Sequence, residues 1–209
     1  MKRGVFLSLD GLDGTGKSTQ CHLLAQWLRA GGQEVVECVD PGGTAVGQVI
    51  RDLLLDHRRE LSLPCEALLF MASRAQLVAE VIRPTLEAGA CAVSDRFLLA
   101  NVVYQGHAGG LDPDELWRIG RLATSGLEPD LTLVLDLPLE QATARRGART
   151  DRMESRERAY QQRVRDGFLA EAKRCPEHIR VVNADADIEE LQARIRREVE
   201  LVLETHRRA

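Results

Sequence analysis

The chain has 209 residues, 44% of them hydrophobic and 29% charged, with a formal net charge of −4. That length suits a single α/β domain, residues 1–209, with a sizeable core. The acidic balance argues against nucleic acid and anionic membranes as partners, and no apolar run approaches the ~20 residues that span a bilayer. The five cysteines are odd in number, widely spaced and without C-x-x-C, so they read as buried thiols of a reducing cytoplasm. The five histidines are scattered and suggest no metal site. Met1-Lys2-Arg3 runs straight into the first apolar segment, too quickly for a signal peptide.

In chain order, the first apolar run is Val5–Leu9, followed by Gly11-Leu12-Asp13-Gly14-Thr15-Gly16-Lys17-Ser18, a G-x-x-x-x-G-K-S string. Cys21, Leu24, Ala25 and Leu28 then recur at helical spacing. A strand that turns into a helix through this string is a P-loop. Its backbone N–H groups wrap phosphate, Lys17 reaches the β/γ-phosphates and the Ser18 hydroxyl holds Mg²⁺. Further strands are predicted at 35–39, 90–94, 131–137 and 179–182, short and apolar as strands buried on both faces should be. Helices are predicted at about 17–30, 44–56, 64–88, 98–106, 112–126, 138–146, 154–174 and 186–206. The alternation implies right-handed crossovers and a five-stranded parallel sheet in a three-layer α/β fold. In such a sheet ligands bind beyond the C-terminal strand ends. The P-loop, the turn Asp40–Thr44 and the pair Asp95-Arg96 should therefore share one crevice.

The arginines narrow the chemistry. Asp95 at a strand end suits Mg²⁺ or its waters, and Arg96 suits a second phosphate, unless the two form only a structural pair. Arg145, Arg146, Arg149 and Arg152 lie between two helices and read as a lid over a triphosphate, or as a solvated basic loop. Two phosphate-clamping sets on one scaffold favour phosphoryl transfer between nucleotides over hydrolysis. Phe70 and Arg74 share a helix face and suit a base, or else are a core ring and a surface cation. Asn101, Tyr104 and Gln105 share another face, and amides read both donors and acceptors. A P-loop regulatory switch remains a rival, although no N-K-x-D string accompanies the loop.

Together these residues resemble the thymidylate kinase family of P-loop nucleoside monophosphate kinases. The resemblance runs through Gly11–Thr19, Asp40–Thr44, Leu69–Gln76, Val93–Gly106, Pro129–Asp136 and Asp151–Glu154. It implies transfer of the ATP γ-phosphoryl to dTMP, giving dTDP for dTTP biosynthesis, with Mg²⁺, in a cytoplasmic homodimer. It implies an ATP site at Gly11, Leu12, Asp13, Gly14, Thr15, Gly16, Lys17, Ser18, Thr19 and Asn183, with metal at Ser18 and Asp95. It places dTMP against Asp13, Arg51, Phe70, Arg74, Arg96, Asn101, Tyr104 and Gln105. Lys17, Arg96 and Asp13 carry catalysis, with Arg149 as the lid arginine and Arg152 second. Three departures stand out. Cys38-Val39-Asp40 replaces the usual T-R-E, Ala100 replaces the signature serine, and the lid spacing is ambiguous. Another monophosphate such as dUMP is the nearest alternative acceptor.

Overall fold

The computed structural model describes residues 3–56, 58–146 and 158–208. Five strands, β1 (Phe6–Gly11), β2 (Val35–Val39), β3 (Cys91–Asp95), β4 (Leu131–Asp136) and β5 (Ile179–Asn183), form one parallel sheet in the order β2-β3-β1-β4-β5. The central strand β1 is buried throughout, its polar Ser8 and Asp10 included. The edge strands β2 and β5 are half exposed, which corrects the expectation of two buried faces for every strand.

Alternate residues of β1 enter different hydrophobic clusters, as the two-residue period dictates. Leu7 and Leu9 join Leu24 and Leu28 of α1 (Lys17–Ala30), Phe168 of α8 (Arg158–Arg174) and Ile195 of α9 (Ile188–Arg208). Phe6 joins Met71 and Leu77 of α3 (Leu63–Leu77) with Phe97, and the Phe6 and Phe97 rings meet edge to face at 4.9 Å. The remaining helices are α2 (Ala45–Leu55), α4 (Arg83–Glu87), α5 (Leu98–Asn101), α6 (Pro113–Ala123) and α7 (Leu139–Arg146).

Two long predicted helices are interrupted. The 64–88 segment divides into α3, a π-helical stretch Val78–Ile82 and α4. Pro84 explains the break, since it has no N–H and its ring would press on the carbonyl four residues earlier. The 98–106 segment is α5 followed by a π-helical stretch Val102–His107. Of the five cysteines, Cys21, Cys38 and Cys91 are buried as expected, Cys65 is exposed and Cys175 half exposed; none is bridged.

Candidate active site

A cavity of about 1040 Å³ opens at the C-terminal ends of β1, β2 and β3. This is where a parallel sheet of this winding places ligands. Residues Asp13 to Gln20 form its floor; Arg51, Phe70, Arg74, Ala100, Asn101, Tyr104 and Gln105 line one end, and Arg145 with Ala186–Glu189 the other.

The floor is the turn from β1 into α1. Gly16 sits in the left-handed region at φ 93°, which a side chain would strain, and frees its carbonyl to start the helix at Gln20. Gly11 is required for a different reason. A Cβ there would stand 2.5 Å from the Leu135 carbonyl oxygen of β4. The Lys17 ammonium donates to the Leu12 carbonyl at 2.8 Å and to Asp13 at 3.4 Å. Burial, then the nearby Arg96 charge, lowers the Lys17 pKa. Ser18 Oγ donates to Asp95 Oδ2, so the two expected metal-holding side chains are already in contact.

Arg96 adopts φ 68°, a left-handed backbone unusual for a long side chain. Several contacts hold it there. Its N–H donates to the Leu9 carbonyl at 2.9 Å, and its own carbonyl accepts from Ser94 Oγ at 2.7 Å. Its guanidinium donates to Asp13 Oδ1, to the Gly11 carbonyl at 3.1 Å and to Tyr104 Oη at 3.2 Å, and lies 5.1 Å from the centre of the Tyr104 ring. Such a conformer costs about 1–3 kcal/mol and persists where the surroundings over-determine it. Burial acts to raise the Asp13 pKa, but Arg96 and Lys17 outweigh it and hold the carboxyl well below the usual range. Tyr104 Oη donates to the other Asp13 oxygen at 3.3 Å.

At the far end the choice between a surface Arg74 and a ligand-facing one resolves in an unexpected way. Arg74 lines the cavity yet is only 1% exposed, so it is not a surface cation. It donates to Asp40 Oδ2 at 2.6 Å, to Asn101 Oδ1 at 3.1 Å and to the Phe97 carbonyl at 3.3 Å. The Asp40–Thr44 turn opens with a cis Asp40–Pro41 peptide. Its Pro41 carbonyl accepts from Arg51 at 2.7 Å, so the turn anchors both arginines. Phe70 is half-buried at the wall.

The structure treats the remaining expected residues differently. Gly11 and Leu12 contribute backbone carbonyls to Arg96 and Lys17 but do not line the cavity. Asn183 does not line it either; its side chain accepts from the Asp185 N–H at 2.8 Å and shapes the loop. Arg145 is not part of a free basic lid. It lies in α7 and donates to the Ala184 carbonyl at 2.9 Å, tying α7 to the loop after β5. Arg149 and Arg152 lie outside the described residues, as does most of the expected lid at 145–153. Among the described residues no three His, Cys, Asp or Glu side chains could hold a metal ion together. Ser18 and Asp95, in contact at the floor, are the side chains there that could help hold one.

Sequence reasoning missed Asp10 and Glu66. Asp10 lies beneath the P-loop with no exposed surface; its Oδ2 accepts from Ser8 Oγ at 3.3 Å and its Oδ1 has no partner. Burial pushes its pKa up to about 7, Arg96 and Lys17 opposing this and Asp95 reinforcing it. An acid inside an otherwise apolar strand was the available signal. Glu66, on α3, accepts from Gln105 Nε2 at 2.9 Å. It showed as nothing more than one charge in a helical pattern.

The comparisons with known proteins agree with this geometry. The Thymidylate kinase family model matches residues 9–195. The thymidylate kinase of Symbiobacterium thermophilum is 47% identical over 95% of this chain and 94% of its own length. That of Rhodopirellula baltica is 46% identical over 90% of this chain and 77% of its own. The crystal structure of thymidylate kinase from Ehrlichia chaffeensis superposes with a TM-score of 0.78 at 29% identity, covering 95% of this chain and 99% of that one. The chain belongs to the thymidylate kinase family.

Proposed function

We propose that this chain is a thymidylate kinase that transfers the ATP γ-phosphoryl to the 5′-phosphate of dTMP, giving dTDP and ADP. One observation supports this above the others. A single cavity joins a P-loop floor to an end where Arg51, Arg96, Phe70, Arg74 and Gln105 meet. That end has the charge for a second phosphate and the ring and amides for a base. A hydrolase would need only the floor.

In this reading Lys17 and the Asp13–Thr19 backbone hold the donor phosphates, and Arg51 and Arg96 hold the acceptor phosphate. Asp13 keeps Arg96 and Lys17 aimed until phosphates replace it as their partner. Ser18 and Asp95 would hold Mg²⁺, which would supply charge neutralisation at the transferring group. Phe70 stacks on the base; Arg74, Asn101 and Gln105 face its polar edge, and Tyr104 crowds the sugar. Arg149 is the proposed lid arginine, with Arg152 second. Positioning and charge neutralisation supply most of the rate, and an anionic acceptor needs little general-base help.

A homodimer in the cytoplasm completes the proposal. The neighbouring helices α2, α3 and α6 leave Val46, Val49, Leu68 and Leu122 exposed and supply an apolar face for a second copy. Among the described residues no helix is long and apolar enough to cross a membrane.

Product analysis with ATP, Mg²⁺ and a panel of dTMP, dUMP, UMP, CMP, dGMP, AMP and thymidine tests the assignment. Strong preference for dTMP is the expected outcome. Preference for dUMP would move the acceptor and implicate Val39 and Ala100. Hydrolysis of ATP independent of any acceptor would sink the kinase reading.

A further inference from the structure

Behind the base end of the cavity, side chains from four elements form one buried polar chain. Asp40 Oδ2 accepts from Arg74 Nε at 2.6 Å, and Arg74 Nη1 donates to Asn101 Oδ1 at 3.1 Å. Asn101 Nδ2 donates to Gln105 Oε1 at 2.7 Å, and Gln105 Nε2 donates to Glu66 Oε1 at 2.9 Å. Arg74, Gln105 and Glu66 are each 1% exposed and Asn101 is 2% exposed, so the links are shielded from bulk water. Arg74, Asn101 and Gln105 line the cavity; Glu66 does not.

The two ends of this chain differ in kind from its middle. An amide turned by 180° exchanges its carbonyl for its amino group at almost no steric cost. Asn101 and Gln105 on their own permit either polarity. A guanidinium only donates and a carboxylate only accepts. Arg74 therefore settles Asn101. Gln105 is held from Asn101 by one bond between neutral groups, which a rotation breaks cheaply. With Glu66 present the same rotation breaks a second, charge-assisted bond and turns the amide carbonyl toward a buried carboxylate.

The geometry points to Glu66 as the positioning residue that fixes the orientation of the Gln105 amide and through it the acceptor-base selectivity. Thymine presents a keto oxygen and an N–H along this edge, whereas cytosine presents an amino group and a bare ring nitrogen. A wrongly turned amide misreads one for the other. Glu66 acts without touching the base.

This inference rests on the thymidylate kinase reading, and the test separates the two. Wild-type, Glu66→Gln, Glu66→Asp and Gln105→Met proteins, with the Glu66→Gln/Gln105→Met double variant, are assayed with dTMP and dCMP. Glu66→Gln keeps the volume but satisfies Gln105 in either orientation. Its preference for dTMP over dCMP, as a ratio of kcat/KM, should fall roughly tenfold. The loss should come through the KM for dTMP, with kcat within about threefold and the KM for ATP unchanged. Glu66→Asp keeps an acceptor-only end and should retain more selectivity than Glu66→Gln. In the Gln105→Met background, Glu66→Gln should add nothing further. Should Glu66→Gln fail to fold, Glu66→Met, an apolar replacement of similar length, takes its place in the same cycle. Unchanged selectivity in a folded Glu66 variant, or effects of Glu66 and Gln105 that multiply independently, would overturn the proposal. Absence of dTMP phosphorylation by the wild-type protein would instead overturn the reading beneath it.

Discussion

The two ends of the cavity solve the same problem, holding polar groups in place without a ligand, in opposite ways. At the proposed phosphate end each cation rests on a partner that, in the proposed function, an incoming phosphate replaces. Lys17 and Arg96 share Asp13 and lean on carbonyls of Leu12 and Gly11, and Arg51 leans on the Pro41 carbonyl. At the base end Arg74, Asn101, Gln105 and Glu66 satisfy one another, and Asp40 closes the row. The first end is built for exchange and the second for permanence. Substitutions should therefore cost activity at one end and folding at the other.

The largest expected effect is at the phosphate end. Lys17→Ala and Arg96→Ala should each lower kcat/KM by about 10²–10³-fold or more, with an unchanged circular dichroism spectrum. Near-normal turnover in Arg96→Ala would remove the contrast altogether. Next comes Arg74→Met, which leaves Asp40 buried without its cation. Breaking such a pair costs about 3–5 kcal/mol, so the melting temperature should drop by roughly 10 °C. If Arg74→Met instead melts like the wild type, the base end is not the prebuilt element described above.

Smaller effects sharpen the division. Tyr104→Phe removes one hydroxyl that accepts from Arg96 at 3.2 Å and donates to Asp13 at 3.3 Å. Both bonds are long, so kcat/KM should fall only about threefold to tenfold. The smallest effect is a pH dependence at Asp10, which Arg96, Lys17, Asp95 and Ser8 surround. Its raised folded-state pKa means that its stabilisation is complete below 3.8 and is lost as pH rises through about 7. Asparagine does not titrate. The melting temperature of Asp10→Asn minus that of the wild type should grow by roughly 6 °C from about pH 5 to about pH 8. A difference that stays flat over that range would show that Asp10 keeps one charge state throughout.

The same contrast governs what could be read from the sequence. The phosphate end is written locally. Asp13 to Ser18 lie within one turn, and the strand before and helix after them fix where their N–H groups point. Arg96 follows a strand end and needed only the rule that strand ends converge. The base end is assembled over long separations. Asp40, Glu66, Arg74 and Gln105 come from the turn after β2, from α3 and from the π-helical stretch Val102–His107, and no local pattern says that Glu66 will meet Gln105. Helical spacing put Phe70 with Arg74 and Asn101 with Gln105, but could not reveal that Arg74 is also held by Asp40, Asn101 and the Phe97 carbonyl. The break in the 64–88 helix had a visible signal in Pro84, whereas the one after Asn101 was hidden because the apolar run continues through it. That Arg145 ties α7 to the loop after β5 could not be read from the sequence, because its closest partner there is the Ala184 backbone carbonyl.

Among the described residues, two that are not glycine adopt a left-handed backbone, Arg96 and Ser125. Ser125 ends a helix, where a small polar residue takes that shape readily and glycine or asparagine would serve as well. Arg96 has no such excuse. In the proposed function its side chain is required by chemistry at a place where its own main chain is an uncomfortable fit, a local frustration in an otherwise consistent sequence. A backbone at odds with its own side chain, when nothing about the turn demands that residue, marks where selection acted on activity rather than on folding.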